Sequence, residues 1–196
     1  MPPPSTTTTN GGSVSPLSPQ QQEELTRANE RAKKVLSATK VATFNGWTIG
    51  IFAAITLLFA LFSVTALVVG AGMAIVAWNE FRGRTLLRRF DPHGPRLLGR
   101  NQLGFMGLLI GYGLWGIFRT LTNPIPQLEE LEAVVGPVGD LVTDLVVVVY
   151  GGVILLSLIF PGLNARYYFA RIRLVRGYLD ETPAWIIDVQ RSSSGL

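Results

Sequence analysis

No cysteine occurs among the 196 residues, which excludes disulfides, thiolate metal centres and cysteine nucleophiles and leaves the redox compartment open. Histidine is nearly as scarce. His93 stands alone between Pro92 and the Gly94-Pro95 pair, with no neighbouring carboxylates at metal-ligand spacing, so it reads as a surface turn residue. No metal or cofactor is expected. Charge is also in short supply: Asp, Glu, Lys and Arg make up 15% of the chain, against roughly 25% in a soluble domain. Walker, Rossmann, zincin and nucleophile-elbow patterns are missing, and the long apolar runs carry almost no ionisable side chains. Acid–base catalysis has little to work with, and the chain is expected not to be an enzyme.

What remains is apolar. Mean hydropathy is +0.35 and 48% of the residues are hydrophobic. From Val41 through Asn79 no residue is charged. As a single helix that run would reach nearly 60 Å, about twice the hydrocarbon thickness of a bilayer, so it must fold back, with its midpoint turn at Phe62-Ser63-Val64. Spans are thereby predicted at 43–61 and 64–80. Two further apolar stretches predict spans at 102–120 and 141–160, the last stopped by Pro161-Gly162. The predicted fold class is all-α: an integral membrane four-helix bundle of two antiparallel transmembrane hairpins with cytoplasmic helical extensions.

The flanking segments are read from their punctuation. Residues 1–17 are Pro, Thr, Ser and Gly with almost nothing to bury, which predicts a disordered tail. Ser18 as N-cap, Pro19 at the first helical position and Gln21 closing a capping box predict a polar helix over 18–42. Its apolar positions, Leu25, Ala28, Ala32, Val35 and Thr39, are heptad-like but too few for a coiled coil. Residues 82–100 read as a charged loop broken at Asp91-Pro92 and Gly94-Pro95, whose first part extends the second helix. Leu128, Leu131 and Val135 suggest a short amphipathic helix over 127–135. Residues 161–196 form a basic, aromatic C-terminal segment, with 163–178 helical and expected to lie along the inner leaflet. No cleavable signal is read in residues 1–40, so the first span is expected to direct insertion.

Charge sets the orientation. Of 17 basic residues, Arg27, Arg31, Lys33, Lys34 and Lys40 precede the first span, Arg82, Arg84, Arg88, Arg89, Arg96 and Arg100 lie in the second loop, and Arg166, Arg171, Arg173, Arg176 and Arg191 follow the fourth span. Arg119 alone falls on the other side, where Glu129, Glu130, Glu132 and Asp140 gather. The positive-inside bias puts both termini and the 82–100 loop in the cytoplasm of a cell membrane, with the bacterial inner membrane the expected one.

Three sets of residues stand out. Gly46, Gly50 and Ala54, then Ala66, Gly70 and Ala74, then Gly104, Gly107 and Gly111 are small residues at helical spacing, expected to let helices of this chain pack closely. Arg82, Arg84, Arg88 and Arg89, with Arg166, Arg171, Arg173 and Arg176, interleave with aromatics and are expected to meet anionic lipid headgroups rather than nucleic acid. Arg119 and Asp144 fall at similar depth on antiparallel spans and are the candidate intramembrane ion pair, with Asp140 as an alternative partner and separate solvation of each charge as the competing reading. The polar residues of the spans, Asn45, Thr48, Thr56, Tyr112, Thr143, Asp144, Tyr150 and Ser157, are too few to line a pore in one protomer. The expected role is therefore a non-enzymatic accessory, scaffold or interaction subunit that packs with itself or within a larger membrane complex. A channel or transporter module built by oligomerisation is the alternative.

Overall fold

The computed structural model describes residues 17–123, 136 and 139–193. The expected tail, apart from Leu17, and the expected helix over 127–135 lie outside the described residues. Within them the chain is helical, with no strand.

Helix α1 (Pro19–Leu58) starts as its first residues dictate. Ser18 Oγ accepts from the Gln21 N–H at 3.3 Å, and Gln21 Oε1 accepts from the Ser18 N–H at 2.9 Å. The polar lead and the first span are one helix of 40 residues, because a single buried face of Ala28, Ala32, Val35, Ala38, Ala42, Gly46, Ile49 and Ala53 runs through both. A 3-10 turn (Phe59–Leu61) and Ser63, whose side chain caps the Ala66 N–H, reverse the chain into α2 (Val64–Arg88) at the expected place.

The next reversal departs from expectation. Residues 82–100 are not a loop: α2 runs to Arg88 and α3 (His93–Thr122) begins after only residues 89–92. The Phe90 N–H bonds to the Leu87 carbonyl and the Asp91 N–H to the Leu86 carbonyl, both at 3.0 Å, which is the Schellman arrangement. Its left-handed position, normally glycine, is held by Phe90 at φ of 54°. That backbone costs about 1–2 kcal/mol for an L-residue. Here it is offset by burial of the ring, which stacks on Tyr178 with centroids 4.4 Å apart. Gly94-Pro95 does not break the chain because it sits in the first turn of α3, where proline forfeits no intrahelical bond.

Pro161-Gly162 does not stop the fourth helix either. Helix α4 (Gly139–Glu181) is continuous for 43 residues, with Pro161 buried inside it. Proline removes one backbone bond there, but α3 supports the helix on both sides. Gly113 lies against Ile154 and Gly99 against Phe169, each so close that an added Cβ would sit 2.6 Å from the neighbouring side chain. Residues 163–178 are accordingly the end of α4, packed on α1 through Tyr168, Val175 and Tyr178, not a separate surface helix. After Thr182-Pro183, α5 (Ala184–Ser193) folds back, and Arg191 Nε donates to the Arg89 carbonyl at 3.2 Å.

Consecutive long helices are antiparallel. Gly46 faces Phe81, Gly50 faces Ala77 and Leu57 faces Gly70, pairs equidistant from the α1–α2 turn. Helix α4 also touches α1, where Arg31 bonds the Glu181 carboxylate at 2.8 Å. All four of α1 to α4 are long and apolar enough to cross a membrane. The best-buried core lies at the charged end and includes Val35, Leu87, Phe90, Leu98, Tyr168 and Val175. Toward the opposite, distal end a smaller core of Ile49, Ala53, Met73, Val76 and Ala77 remains, while large apolar side chains such as Leu61 and Phe62 are 87% and 86% exposed.

Candidate functional site

Glu80 has no exposed surface at all. It sits on the buried face of α2, one turn after Val76 and Ala77 and one turn before Gly83, and four helices converge on it. From α3, Asn101 Nδ2 and Gln102 Nε2 each donate to Glu80 Oε1 at 2.9 Å. From α4, the Tyr168 hydroxyl donates to Glu80 Oε2 at 3.1 Å. From α1, Asn45 Nδ2 donates to the Tyr168 hydroxyl at 3.3 Å. Asn101 also donates to the Val76 carbonyl at 2.9 Å, which locks its amide orientation.

No cation is among these partners. The carboxyl is satisfied by neutral donors alone, two amides on one oxygen and a phenol on the other. A buried polar group left without partners costs about 1–3 kcal/mol, so the set is stable only when all four helices are in register. Its chemical capacity is to fix that register and to hold a titratable group away from water.

The sequence reading missed this carboxylate because it fell at the edge of the predicted span 64–80. The signal was present, however: an acidic residue between Trp78 and Phe81, and an Asn101-Gln102 amide pair opening the next apolar run.

The singled-out small residues fare unevenly. Gly46 meets the Phe81 ring, Gly50 meets Ala77 and Gly70 meets Leu57, all within the α1–α2 hairpin. Ala54 and Ala74 are exposed and Ala66 is half-buried; the contact face instead uses Ala53, Met73 and Ala77. A strict four-residue repeat drifts off a face whose true period is 3.6. Gly104, Gly107 and Gly111 have nothing within 4 Å of an added Cβ, so this row is not an intrachain packing face. On α3 the tightly packed glycines are Gly99, Gly113 and Gly116, the last pressed against the Tyr150 ring.

Arg119 and Asp144 do not pair. Both are exposed, and among the described residues no ion pair joins them or links Arg119 to Asp140. Arg82, Arg89, Arg166, Arg173 and Arg176 are exposed at the charged end, whereas Arg84, Arg88 and Arg171 are half-buried. The Arg171 guanidinium lies over the Tyr167 ring, 4.3 Å from its centroid.

Distal to the Glu80 layer, an open cavity of about 1110 Å³ separates the two hairpins. All four long helices contribute to it. Phe52, Val69, Met73, Leu109 and Val153 line its interior, while Ser63, Arg119, Thr120 and Asn123 lie toward the distal end. Met73 is seven residues before Glu80 on α2, about 10 Å of helix rise.

Comparison with known proteins finds no matching family model, no matching curated protein and no matching solved structure, so the site is read from its own chemistry.

Proposed function

We propose that this chain is an integral membrane protein whose helices α1 to α4 cross the bilayer as a four-helix bundle, with both termini and the α2–α3 turn in the cytoplasm of a cell membrane. It works without catalysis, as a small accessory or scaffold subunit that packs with itself or within a larger membrane complex. The observation that carries this reading is the enclosure of Glu80. The titratable group at the crossing of the four helices is spent on neutral side chains of this same chain, with no surface left for a substrate. Exposed Phe, Leu, Ile and Val along the long helices support a hydrocarbon environment, and the sixteen-to-one distribution of basic residues supports the orientation. On this reading the exposed arginines at the charged end face anionic headgroups, each contributing on the order of 1 kcal/mol.

Single-cysteine labelling in intact cells tests it, helped by the cysteine-free background. Positions 30, 92 and 185 should be protected from an impermeant reagent and position 130 labelled; positions 92 and 130 reacting from the same side would overturn the arrangement.

The open cavity lying about 10 Å from a buried carboxyl favours a second reading, a transport module completed by oligomerisation. Proteoliposome flux separates the two. Ion or solute flux that Glu80→Gln abolishes would establish transport, and its absence supports the scaffold.

A further inference from the structure

The cavity between the hairpins has a chemical gradient. Its depth, from Arg119 to Leu109 along α3, is ten residues of helix, about 15 Å. The interior offers mostly hydrocarbon and aromatic surface, with the hydroxyls of Tyr112 and Tyr150 among it. The distal rim offers a guanidinium, two hydroxyls and an amide from Arg119, Ser63, Thr120 and Asn123. Arg119 is the single basic residue at this end, and among the described residues its side chain makes no ion pair. At about 1110 Å³ the cavity is slightly larger than the usual small-molecule site, which runs to about 1,000 Å³.

A lateral groove adjoins it. This groove of about 450 Å³ runs along the α2–α3 seam and shares Thr65, Val69, Tyr112 and Trp115 with the cavity. Its wall includes Gly107 and Gly111, the glycines that pack against nothing. Their missing side chains widen the seam where a ligand dissolved in hydrocarbon would arrive.

We propose that this cavity binds an amphiphile, with a negatively charged head held at Arg119 and a hydrocarbon chain laid between the hairpins. The chemistry fits a fatty acid or an anionic diacyl lipid better than a soluble polar metabolite, which would leave Phe52, Val69, Met73, Leu109 and Val153 uncovered. This inference rests on the membrane reading for the route of entry, but binding in detergent is independent of orientation, so either can fail without the other.

The test uses the full chain, delipidated in a neutral detergent and titrated with oleate, dioleoylphosphatidylglycerol or dioleoylphosphatidylcholine, with bound lipid counted by native mass spectrometry. One anionic molecule should be retained about tenfold more tightly than phosphatidylcholine, the scale expected of one charge-assisted contact. Arg119→Gln should remove that preference and Arg119→Lys should keep most of it. Ala66→Phe, which projects a ring from the cavity wall into the path of the chain, should weaken retention of every lipid, while Lys33→Gln in the polar lead of α1 should leave it unchanged. Retention of oleate alone identifies a fatty-acid site, and retention of phosphatidylglycerol identifies a diacyl-lipid site. Equal retention of charged and zwitterionic lipid by the wild type, or an anionic preference that survives both Arg119→Gln and Ala66→Phe in protein of unchanged helicity, would overturn the proposal.

Discussion

Replacing Tyr168 by Phe deletes one oxygen from the Glu80 cluster, and the two oxygens of the carboxyl predict how much that oxygen matters. Glu80 Oε1 has two donors, Asn101 and Gln102, whereas Oε2 has only the Tyr168 hydroxyl. Tyr168→Phe therefore strands a fully buried acidic oxygen and also removes the acceptor for Asn45. A hydrogen bond to such a group is worth about 1.5–3 kcal/mol. Gln102→Leu removes a shorter bond, 2.9 Å against 3.1 Å, but leaves Oε1 served by Asn101, so its cost should stay near the ordinary range of about 0.5–1.5 kcal/mol. For a chain of this size about 2 kcal/mol corresponds to a fall of roughly 4–8 °C in Tm. Thermal unfolding of the two single variants in the same detergent, followed by circular dichroism, should rank Tyr168→Phe as the more damaging by several degrees. A double cycle with Glu80→Gln should give a coupling of at least about 1 kcal/mol. If Gln102→Leu proved equal to or worse than Tyr168→Phe, the two oxygens would not be unequally served and the account of the cluster would be wrong.

Gly116→Ala should lower thermal stability by about 1–3 kcal/mol, because its Cβ would meet the rigid Tyr150 ring at 2.3 Å, whereas Gly104→Ala, with open space around it, should be neutral or raise stability by up to about 1 kcal/mol. Phe90→Gly relieves the left-handed backbone but loses the Tyr178 stack, and Phe90→Ala loses the stack while keeping the strain, so chemical unfolding should show Ala to be the worse of the two by about 1 kcal/mol. Partial burial pushes the Asp91 carboxyl up, but hydrogen bonds from the His93 backbone and ring and the positive charges of His93 and Arg191 outweigh it and hold the group below its ordinary value of 3.8. A depressed carboxyl contributes stability above its unfolded value and loses it as pH falls through the folded one, so Asp91→Asn should flatten the part of the acid stability profile that lies below about pH 4.

Much of the helical layout was legible because it follows from run length and local chemistry. The charge-free stretch of Val41 to Asn79 exceeds one bilayer and so demanded a reversal near Ser63, and Ser18, Pro19 and Gln21 carry the start of α1 within four residues. The boundaries that failed did so at proline. Pro95 was read as a breaker, but its effect depends on whether it falls in a first turn, and Pro161 was read as a stop, but its effect depends on whether a neighbouring helix supports the gap; neither is a local property. The Glu80 cluster was hidden for a related reason. Its members lie on four helices, and periodicity within one helix says nothing of which residues meet across helices. Likewise, the near-equal depths of Arg119 and Asp144 were readable from span lengths, but their rotational positions about the helix axes were not, and those leave both side chains exposed without a bond between them.

The 88 residues that separate Glu80 from Tyr168 impose an order of assembly during synthesis. Helices α1 and α2 are complete while the partners of Glu80 on α3 have yet to emerge, and the hydroxyl that closes the cluster arrives last. At about 5–20 residues per second that interval is roughly 4–18 s. Throughout it the nascent hairpin holds an unsealed acidic group one helical turn from Arg84, at the charged end of α2 and not deep in its apolar stretch. A chain truncated before residue 168 would retain two well-matched antiparallel helices with the carboxyl still only partly served.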